Sequence, residues 1–249
     1  MSEKEIEIKM ADGMCDAVLC SQDAQKRPGV IHYPDIVGIR PSHRAMAKRL
    51  AEAGYTVLLV NPFYRTAKGV LFDFPPNFAG DPRTMKRFGE LAGPLTPEAM
   101  ESDAKSYANF LSAQSSASAA KVGAVGYCFT GQFALRTAAA LPDRIGAIAS
   151  FHGGGLWTDK PTSPHLVLSQ IPKNGPRLYF GHAVNDNTMP QDAIDKLNAA
   201  LKSWGGKYES EVYADALHGW TVSDSNAYTQ PQAERAFGKL TALFVETLK

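Results

Sequence analysis

Apolar and polar positions divide the chain into short apolar runs and longer amphipathic stretches. Five of the runs lack strict alternation, as parallel strands covered on both faces do, and they span residues 29–33, 56–61, 121–126, 147–151 and 177–181. Between them, apolar residues at helical spacing predict helices at 41–54, at 190–205 and around Phe237, Leu240 and Phe244. This alternation predicts an α/β fold with one mostly parallel sheet that is covered by helices on both faces.

The N-terminal segment has a different pattern. Residues 5–8 alternate Glu and Ile at a period of two, and a second apolar run, 14–20, follows the pair Asp12-Gly13. An Asp-Gly pair between two such runs favours a tight turn. The segment therefore predicts an antiparallel hairpin at one edge of the sheet.

Residues 65–97 interrupt the rhythm of strands and helices. They are rich in proline and carry four phenylalanines, Phe72, Phe74, Phe78 and Phe88. A stretch of this length is rarely a plain connector, and long loops are often functional. We predict an insertion that walls a binding pocket; the alternative is an irregular surface insertion that packs its own small cluster. With no internal repeat, residues 1–249 predict one domain.

Composition and charge narrow the class of protein. Hydrophobic residues make up 44% and charged residues 20% of the chain, which excludes a disordered protein. The formal net charge of +1 leaves no field that would attract nucleic acid. Three cysteines are too few for a disulfide framework, and neither a signal peptide nor a membrane-length apolar run is present. We therefore expect a cytoplasmic protein with no membrane partner, and the oligomeric state stays open.

The sequence around Cys128 carries the strongest chemical signal. Gly126-Tyr127-Cys128-Phe129-Thr130-Gly131 lies between the predicted strand 121–126 and an apolar helix predicted at 130–141. A sharp strand-to-helix turn of this kind, a nucleophile elbow, lifts one side chain above the sheet, and small neighbours let the helix pass close to the strand. A thiol at the start of a helix is favoured as the thiolate, the form that attacks. We therefore take Cys128 as a candidate nucleophile.

An acid and a histidine follow Cys128 in the order found in α/β-hydrolases. Asp186 comes directly after the predicted strand 177–181, and His218 comes after a further predicted strand, 208–213. Carboxyl ends of parallel strands meet at one edge of a sheet, where open α/β folds place their ligands. A base and a group that orients it are what a nucleophilic thiol requires. The backbone N–H of Phe129 and, by position alone, that of Ile36 are candidate oxyanion donors.

The residues at this edge of the sheet also allow other interpretations. His152, His182, Asp186 and His218 could bind a metal, but no pair has the tight spacing of known zinc motifs, so we predict no metal. No phosphate loop or dinucleotide fingerprint occurs, so we predict no cofactor. The run 152–155 predicts either a strand-end turn lining the site or simple backbone packing. Cys128 could be a redox thiol, although Cys15 and Cys20 fall on the predicted edge hairpin, away from it.

These motifs together resemble the dienelactone hydrolase family, α/β-hydrolases with a Cys nucleophile in place of the usual Ser. The similarity runs from about Gly29 to the C-terminus. Its specific points are Gly126-Tyr127-Cys128, the Asp186 loop ending in Met189-Pro190, Leu217-His218-Gly219, Pro34-Asp35-Ile36-Val37-Gly38, and Asn61-Pro62-Phe63-Tyr64-Arg65.

The resemblance implies a triad of Cys128, Asp186 and His218 and an oxyanion hole made by the backbone N–H groups of Ile36 and Phe129. It implies hydrolysis of a small-molecule ester or lactone through a covalent thioester, without a cofactor. The alternative is a non-catalytic small-molecule binding protein that keeps the α/β-hydrolase fold.

Three positions depart from the family pattern. Thr130 stands where the elbow usually has a glycine. Asp35 takes the supporting position of a family glutamate that holds the resting thiol in check, and its side chain is shorter. Val222 replaces an arginine that binds the substrate carboxylate in enzymes acting on dienelactone. Arg83 and Arg87 are alternative sources of such a contact.

Overall fold

A single eight-stranded sheet forms the centre of the molecule. The computed structural model describes residues 1–22, 25–118 and 120–248. The strands are β1 (Ser2–Met10), β2 (Gly13–Ser21), β3 (Gly29–Tyr33), β4 (Thr56–Val60), β5 (Val122–Tyr127), β6 (Ile145–Phe151), β7 (Arg177–Ala183) and β8 (Tyr208–Tyr213). Every residue of β3, β4, β5 and β6 is buried, as expected for strands with a continuous apolar pattern.

The sheet has the order β1-β2-β4-β3-β5-β6-β7-β8. β1 and β2 form the predicted antiparallel hairpin at the edge, and β2 is also antiparallel to β4. All strand pairs from β4 to β8 are parallel. The predicted α/β class and mostly parallel sheet are confirmed, and the carboxyl ends of β3, β5, β6, β7 and β8 lie side by side.

Helices cover both faces of the sheet, as predicted. They are α1 (Pro41–Glu52), α2 (Pro82–Ala92), α3 (Pro97–Ser112), α4 (Gly131–Ala140), α5 (Gln191–Trp204) and α6 (Gln230–Thr247). The buried residues of α1 and α6 belong to one core, while those of α2 to α5 belong to the core on the opposite face. Two layers of helices thus exclude water from the central strands.

Residues 65–97 are more regular than their sequence suggests. They contain α2, whose first turn is capped by Asp81: its carboxylate accepts a hydrogen bond from the Thr84 backbone N–H. Our sequence analysis predicted no helix within residues 65–97. Two prolines of this segment, Pro82 and Pro97, do not interrupt a helix. Each stands at the start of one, where a proline costs no hydrogen bond.

Candidate active site

Cys128 lies at the turn between β5 and α4, and its backbone is strained. It is the first residue of a short 3₁₀ turn and has a φ of 57°, a left-handed value that is costly for a residue with a side chain. The close approach of the turn explains the flanking glycines. A Cβ on Gly126 would lie 2.2 Å from the Thr130 carbonyl oxygen, and one on Gly131 would lie 2.2 Å from Ser150 Oγ. The chain thus has the geometry of an elbow at Cys128.

Thr130 fits inside this elbow. Its side chain is fully buried. Oγ1 accepts a hydrogen bond from the Tyr127 backbone N–H at 3.0 Å and lies 3.0 Å from the Tyr33 carbonyl oxygen, at the end of β3. The hydroxyl therefore ties the turn to the neighbouring strand. The glycine that makes the close approach to β6 is the next residue, Gly131.

Asp186 and His218 meet above the ends of β7 and β8. His218 Nδ1 lies 2.6 Å from Asp186 Oδ2. The other carboxylate oxygen accepts hydrogen bonds from the backbone N–H and the hydroxyl of Thr188, at 2.8 and 2.7 Å. Burial raises the pKa of Asp186, but the hydrogen bond and charge of His218, followed by the Thr188 contacts, outweigh it and lower the pKa. The carboxylate therefore stays ionised and fixes the ring.

The charge of the Cys128 sulfur acts on the same imidazole ring. Burial lowers the pKa of His218, but the negative charge of Cys128 and the hydrogen bond to Asp186 outweigh burial and raise that pKa to about 10. The ring is therefore an imidazolium at neutral pH, between a sulfur and a carboxylate. This arrangement brings together the three residues that the sequence proposes as a triad.

Ile36 and Phe129 follow the ends of two neighbouring strands. β3 and β5 are parallel, with Tyr33 beside Gly126. Phe129 is the second residue of the 3₁₀ turn, where a backbone N–H has no acceptor within the turn. Ile36 is buried in the segment that leaves β3. The topology thus puts both proposed oxyanion donors beside Cys128 at one end of the sheet.

Asp35 is held by contacts other than the thiol. Its two oxygens receive the Arg40 guanidinium at 2.7 and 2.8 Å, and Oδ1 also accepts the Val37 N–H at 2.9 Å. Oδ2 lies 3.2 Å from His43 Nε2. Burial raises the pKa of Asp35, but His43 and Arg40 lower it well below its usual range. This carboxylate organises the loop that carries Ile36, and its described hydrogen bonds are all within residues 35–43.

Three further side chains make contacts at the site, and of these only His152 belongs to a run, 152–155, that our sequence analysis considered as lining it. Thr188 bonds Asp186, and the signal was present, because an Asp two residues before a free backbone N–H is typical of such turns. His152 accepts the Cys128 backbone N–H at 3.1 Å through Nδ1. Thr221 Oγ1 lies 2.8 Å from His152 Nε2. The run 152–155 therefore lines the site through His152, in addition to packing closely.

Aromatic side chains surround the elbow. Phe129 packs against Phe88 of α2, with ring centroids 5.3 Å apart, and against Phe63 at 6.4 Å. The insertion 65–97 thus contributes one ring to the surroundings of Cys128.

Val222 is buried, with 1% of its surface exposed. It offers no polar group where a substrate-binding arginine would be.

The arginines of α2 are engaged elsewhere. Arg87 Nε donates to the Leu71 carbonyl oxygen at 2.8 Å, and its Nη1 lies 3.0 Å from Glu90. Arg83 pairs with Asp73 and lies over a phenylalanine ring.

Within residues 1–22, 25–118 and 120–248, no three His, Cys, Asp or Glu side chains are grouped to hold a metal ion. No helix in the same ranges is long and apolar enough to span a membrane.

Comparison with known proteins finds related sequences and a related fold. A carboxymethylenebutenolidase of Rhodococcus opacus is 28% identical over 80% of this chain and 72% of its own. A Synechocystis protein named "Putative carboxymethylenebutenolidase" is 25% identical over 89% of this chain and 87% of its own. The crystal structure of a "Putative Dienelactone Hydrolase" from Klebsiella pneumoniae superposes with a TM-score of 0.84 over 98% of both chains, at 21% identity, and supports the fold alone. The sequence profile of the dienelactone hydrolase family matches residues 15–248, and the chain therefore belongs to that family.

Proposed function

We propose that the protein hydrolyses carboxylic esters or lactones through a triad of Cys128, His218 and Asp186. One observation carries the proposal. His218 is held by Asp186 at 2.6 Å, and its protonated form is stabilised by the charge of a sulfur at a strained strand-to-helix turn. Membership of a family with carboxymethylenebutenolidase relatives supports the class of reaction.

Acylation is the first half of the reaction. The Cys128 thiolate attacks the carbonyl carbon, and a C–S bond forms as the carbonyl π electrons move to oxygen. The backbone N–H groups of Ile36 and Phe129 stabilise the resulting oxyanion. When the tetrahedral intermediate collapses, the C–O bond breaks, and the leaving alkoxide takes a proton from the His218 imidazolium. The product of this half is an alcohol and a thioester on Cys128.

Deacylation reverses the roles. His218, now neutral, removes a proton from a water molecule as it attacks the thioester carbonyl. The second oxyanion forms at the same donors, and its collapse breaks the C–S bond. The acid is released, while the proton stays on His218 and the sulfur leaves as a thiolate. Throughout the cycle, Asp186 keeps Nδ1 protonated and turned away from the substrate.

The surroundings of the thiol favour an uncharged substrate. Phe129, Phe88 and Phe63 form an apolar surface beside the elbow. The guanidinium groups of Arg83 and Arg87 already have carboxylate partners, which a substrate carboxylate would have to displace. We therefore expect neutral aryl esters or lactones to be better substrates than esters that carry a carboxylate.

Replacement of the nucleophile tests the proposal. In Cys128→Ala, turnover of an activated aryl ester such as 4-nitrophenyl acetate is expected to fall to the rate of the buffer, because His218 alone cannot form the thioester. The matched control is Cys15→Ala, which removes a fully buried thiol of β2. Circular dichroism spectra of both variants should match that of the parent. A folded Cys128→Ala protein with the parent's activity would refute the role of Cys128.

The alternative is a binding protein without catalysis. Such a protein would bind an activated ester without forming a covalent bond, whereas the proposed enzyme passes through an acylated Cys128. Intact-mass measurement during incubation with the ester separates the two, because a mere receptor gains no acyl group. A protein that binds the ester, gains no mass and releases no 4-nitrophenol would establish the alternative.

A further inference from the structure

His152 occupies a buried position directly behind the nucleophile. It follows the last residue of β6, Phe151, and only 1% of its surface is exposed. Its Nδ1 lies 3.1 Å from the backbone nitrogen of Cys128, and its Nε2 lies 2.8 Å from Thr221 Oγ1. The ring thus links the elbow to the loop that follows His218.

The two contacts fix the proton of the His152 ring. A backbone N–H can only donate, so the Nδ1 that faces Cys128 must be the unprotonated nitrogen. Nε2 then carries the hydrogen and donates it to Thr221 Oγ1. Burial and the charge of His218 lower the pKa of His152 well below its usual range, while Asp35 and Asp186 oppose this and His43 adds to it. His152 is therefore neutral at neutral pH and held in one tautomer.

The conformation of Cys128 needs external support. A left-handed φ costs a residue with a side chain about 1–3 kcal/mol and persists only where the surroundings impose it. The segment after β6 holds both backbone polar groups of Cys128: His152 accepts its N–H, and the Gly154 N–H donates to its carbonyl oxygen at 3.3 Å. This segment is itself strained, since His152 has a φ of 41°.

The His152 ring also supports the catalytic base. Its centroid lies 5.2 Å from that of the His218 ring, at an interplanar angle of 62°. Trp220, which is fully buried, packs against it at 5.1 Å. The neutral His152 side chain therefore contacts both the backbone of Cys128, the proposed nucleophile, and the ring of His218, the proposed base.

We propose that His152, with Thr221, is a positioning residue that holds Cys128 in its strained conformation and at the correct distance from His218. Its two ring nitrogens contact the Cys128 backbone N–H and the Thr221 hydroxyl, so it acts through other groups. The proposal rests on the proposed function and adds to it a requirement for a hydrogen-bond acceptor behind the Cys128 amide. Loss of that acceptor should slow the chemical steps and leave substrate binding unchanged.

Two variants of His152 distinguish a role as hydrogen-bond acceptor from a role in packing alone. In His152→Asn, the side-chain oxygen can replace Nδ1 as the acceptor of the Cys128 N–H, whereas His152→Leu removes it. We expect kcat for 4-nitrophenyl acetate to fall about 10- to 100-fold in the Leu variant, with KM within about twofold, because small misplacements of reacting groups have effects of this size. The Asn variant should keep kcat within about fivefold of the parent, given that the Cys128 amide keeps a partner.

Thr221 provides a second pair that does not alter the ring. Thr221→Val removes the acceptor of the Nε2–H and leaves that buried donor without a partner, whereas Thr221→Ser keeps the hydroxyl. We expect kcat to fall about 3- to 10-fold in the Val variant, the effect of one hydrogen bond, and to stay near the parent in the Ser variant. If His152→Leu does not fold, the comparison of Thr221→Val with Thr221→Ser tests the positioning role in its place.

The rate at which iodoacetamide alkylates Cys128 gives a readout that needs no ester hydrolysis. Cys15 and Cys20 are fully buried, and burial raises their thiol pKa values to about 12 and about 11, so Cys128 should react first. We expect slower alkylation of Cys128 in His152→Leu and Thr221→Val than in their conservative counterparts. The matched control is His182, an equally buried histidine that bonds Ser210, where His182→Asn should leave both rates unchanged.

The outcomes are distinguishable. Equal kcat and alkylation rates in the Leu and Asn variants, or in the Val and Ser variants, would overturn the positioning role of His152. A rise in KM as large as the fall in kcat/KM would also overturn it, because it would indicate a role in binding. An inactive parent protein, or an active Cys128→Ala protein, would instead mean that the proposed function had failed.

Discussion

Cys128 differs from the other two cysteines in its surroundings. Cys15 and Cys20 are fully buried in β2, and desolvation keeps them as neutral thiols. Cys128 is half-buried, begins a helical turn and faces an imidazolium. The Cys15 thiol also makes a hydrogen bond, since its sulfur lies 3.2 Å from the Asn61 carbonyl oxygen. Burial and charge therefore make Cys128 the strongest candidate for a reactive thiol among the three cysteines.

The protonation of His218 gives a prediction at this scale. Because its pKa is raised from 6.5 to about 10, the protonated ring stabilises the folded protein, and this contribution is complete below pH 6.5 and disappears as the pH rises through about 10. The charge of Cys128 is the largest cause of the increase. In Cys128→Ala we therefore expect the His218 ring to lose its proton at a lower pH than in the parent.

Proton NMR of the His218 Cε1–H resonance as a function of pH measures this change. Cys15→Ala is the control, because Cys15 is not among the groups that act on His218, and its variant should titrate as the parent does. If the His218 resonance titrated at the same pH in Cys128→Ala and in the parent, the sulfur would have no electrostatic effect on the ring.

At the scale of elements, the motif after β4 has a structural task. Arg65 donates to both oxygens of Asp103 on α3, at 2.6 and 2.9 Å, and pairs with Asp12 at the turn of the N-terminal hairpin. Tyr64 adds a hydrogen bond to Asp103 at 2.9 Å. Because Asp103 is 2% exposed, its charge depends on these donors. The cluster thus joins the hairpin, the segment after β4 and α3.

Removal of one partner of this buried pair should be costly. In Arg65→Met, a buried carboxylate is left uncompensated, and we expect the free energy of unfolding to fall by about 3–5 kcal/mol. Arg49→Met breaks an ion pair with Glu234 in which both side chains are more than 40% exposed, and should cost at most about 1 kcal/mol. Urea unfolding of the two variants and the parent at pH 7 measures both values. Equal losses in the two variants would contradict a stabilising role of the buried pair.

Strands and helices were predictable to different degrees. Buried parallel strands are continuously apolar, so β3 to β7 were found within a few residues, and α5 was found from Ile194, Leu197 and Leu201. α2 buries only Thr84 and Leu91, but its sequence is strongly amphipathic and begins with the pair Asp81-Pro82, so the local signals of a helix were present and our sequence analysis missed them. What the sequence could not show is the contact of Phe88 on α2 with Phe129, which is distant in sequence. Such long-range packing cannot be read from local spacing.

At the scale of the whole molecule, the parallel sheet gathers the site. Cys128, Asp186 and His218 follow β5, β7 and β8, and parallel strands end on the same side, so the sequence could predict that the three lie at one edge. One interpretation of the run 152–155 was a turn that lines the site, but the sequence could not predict that His152 accepts the N–H of Cys128. That contact depends on the strand order, with β6 next to β5, and on a left-handed turn at His152.

Detection of a thioester on Cys128 tests the central claim most directly. The parent protein is mixed with 4-nitrophenyl acetate, quenched in acid at successive times and measured by intact and peptide mass spectrometry. We predict a gain of one acetyl group on the peptide that contains Cys128, at a level that rises before steady state and decays when the ester is consumed. Steady release of 4-nitrophenol with that peptide unmodified at every time, or with the acetyl group on another residue, would contradict catalysis by Cys128.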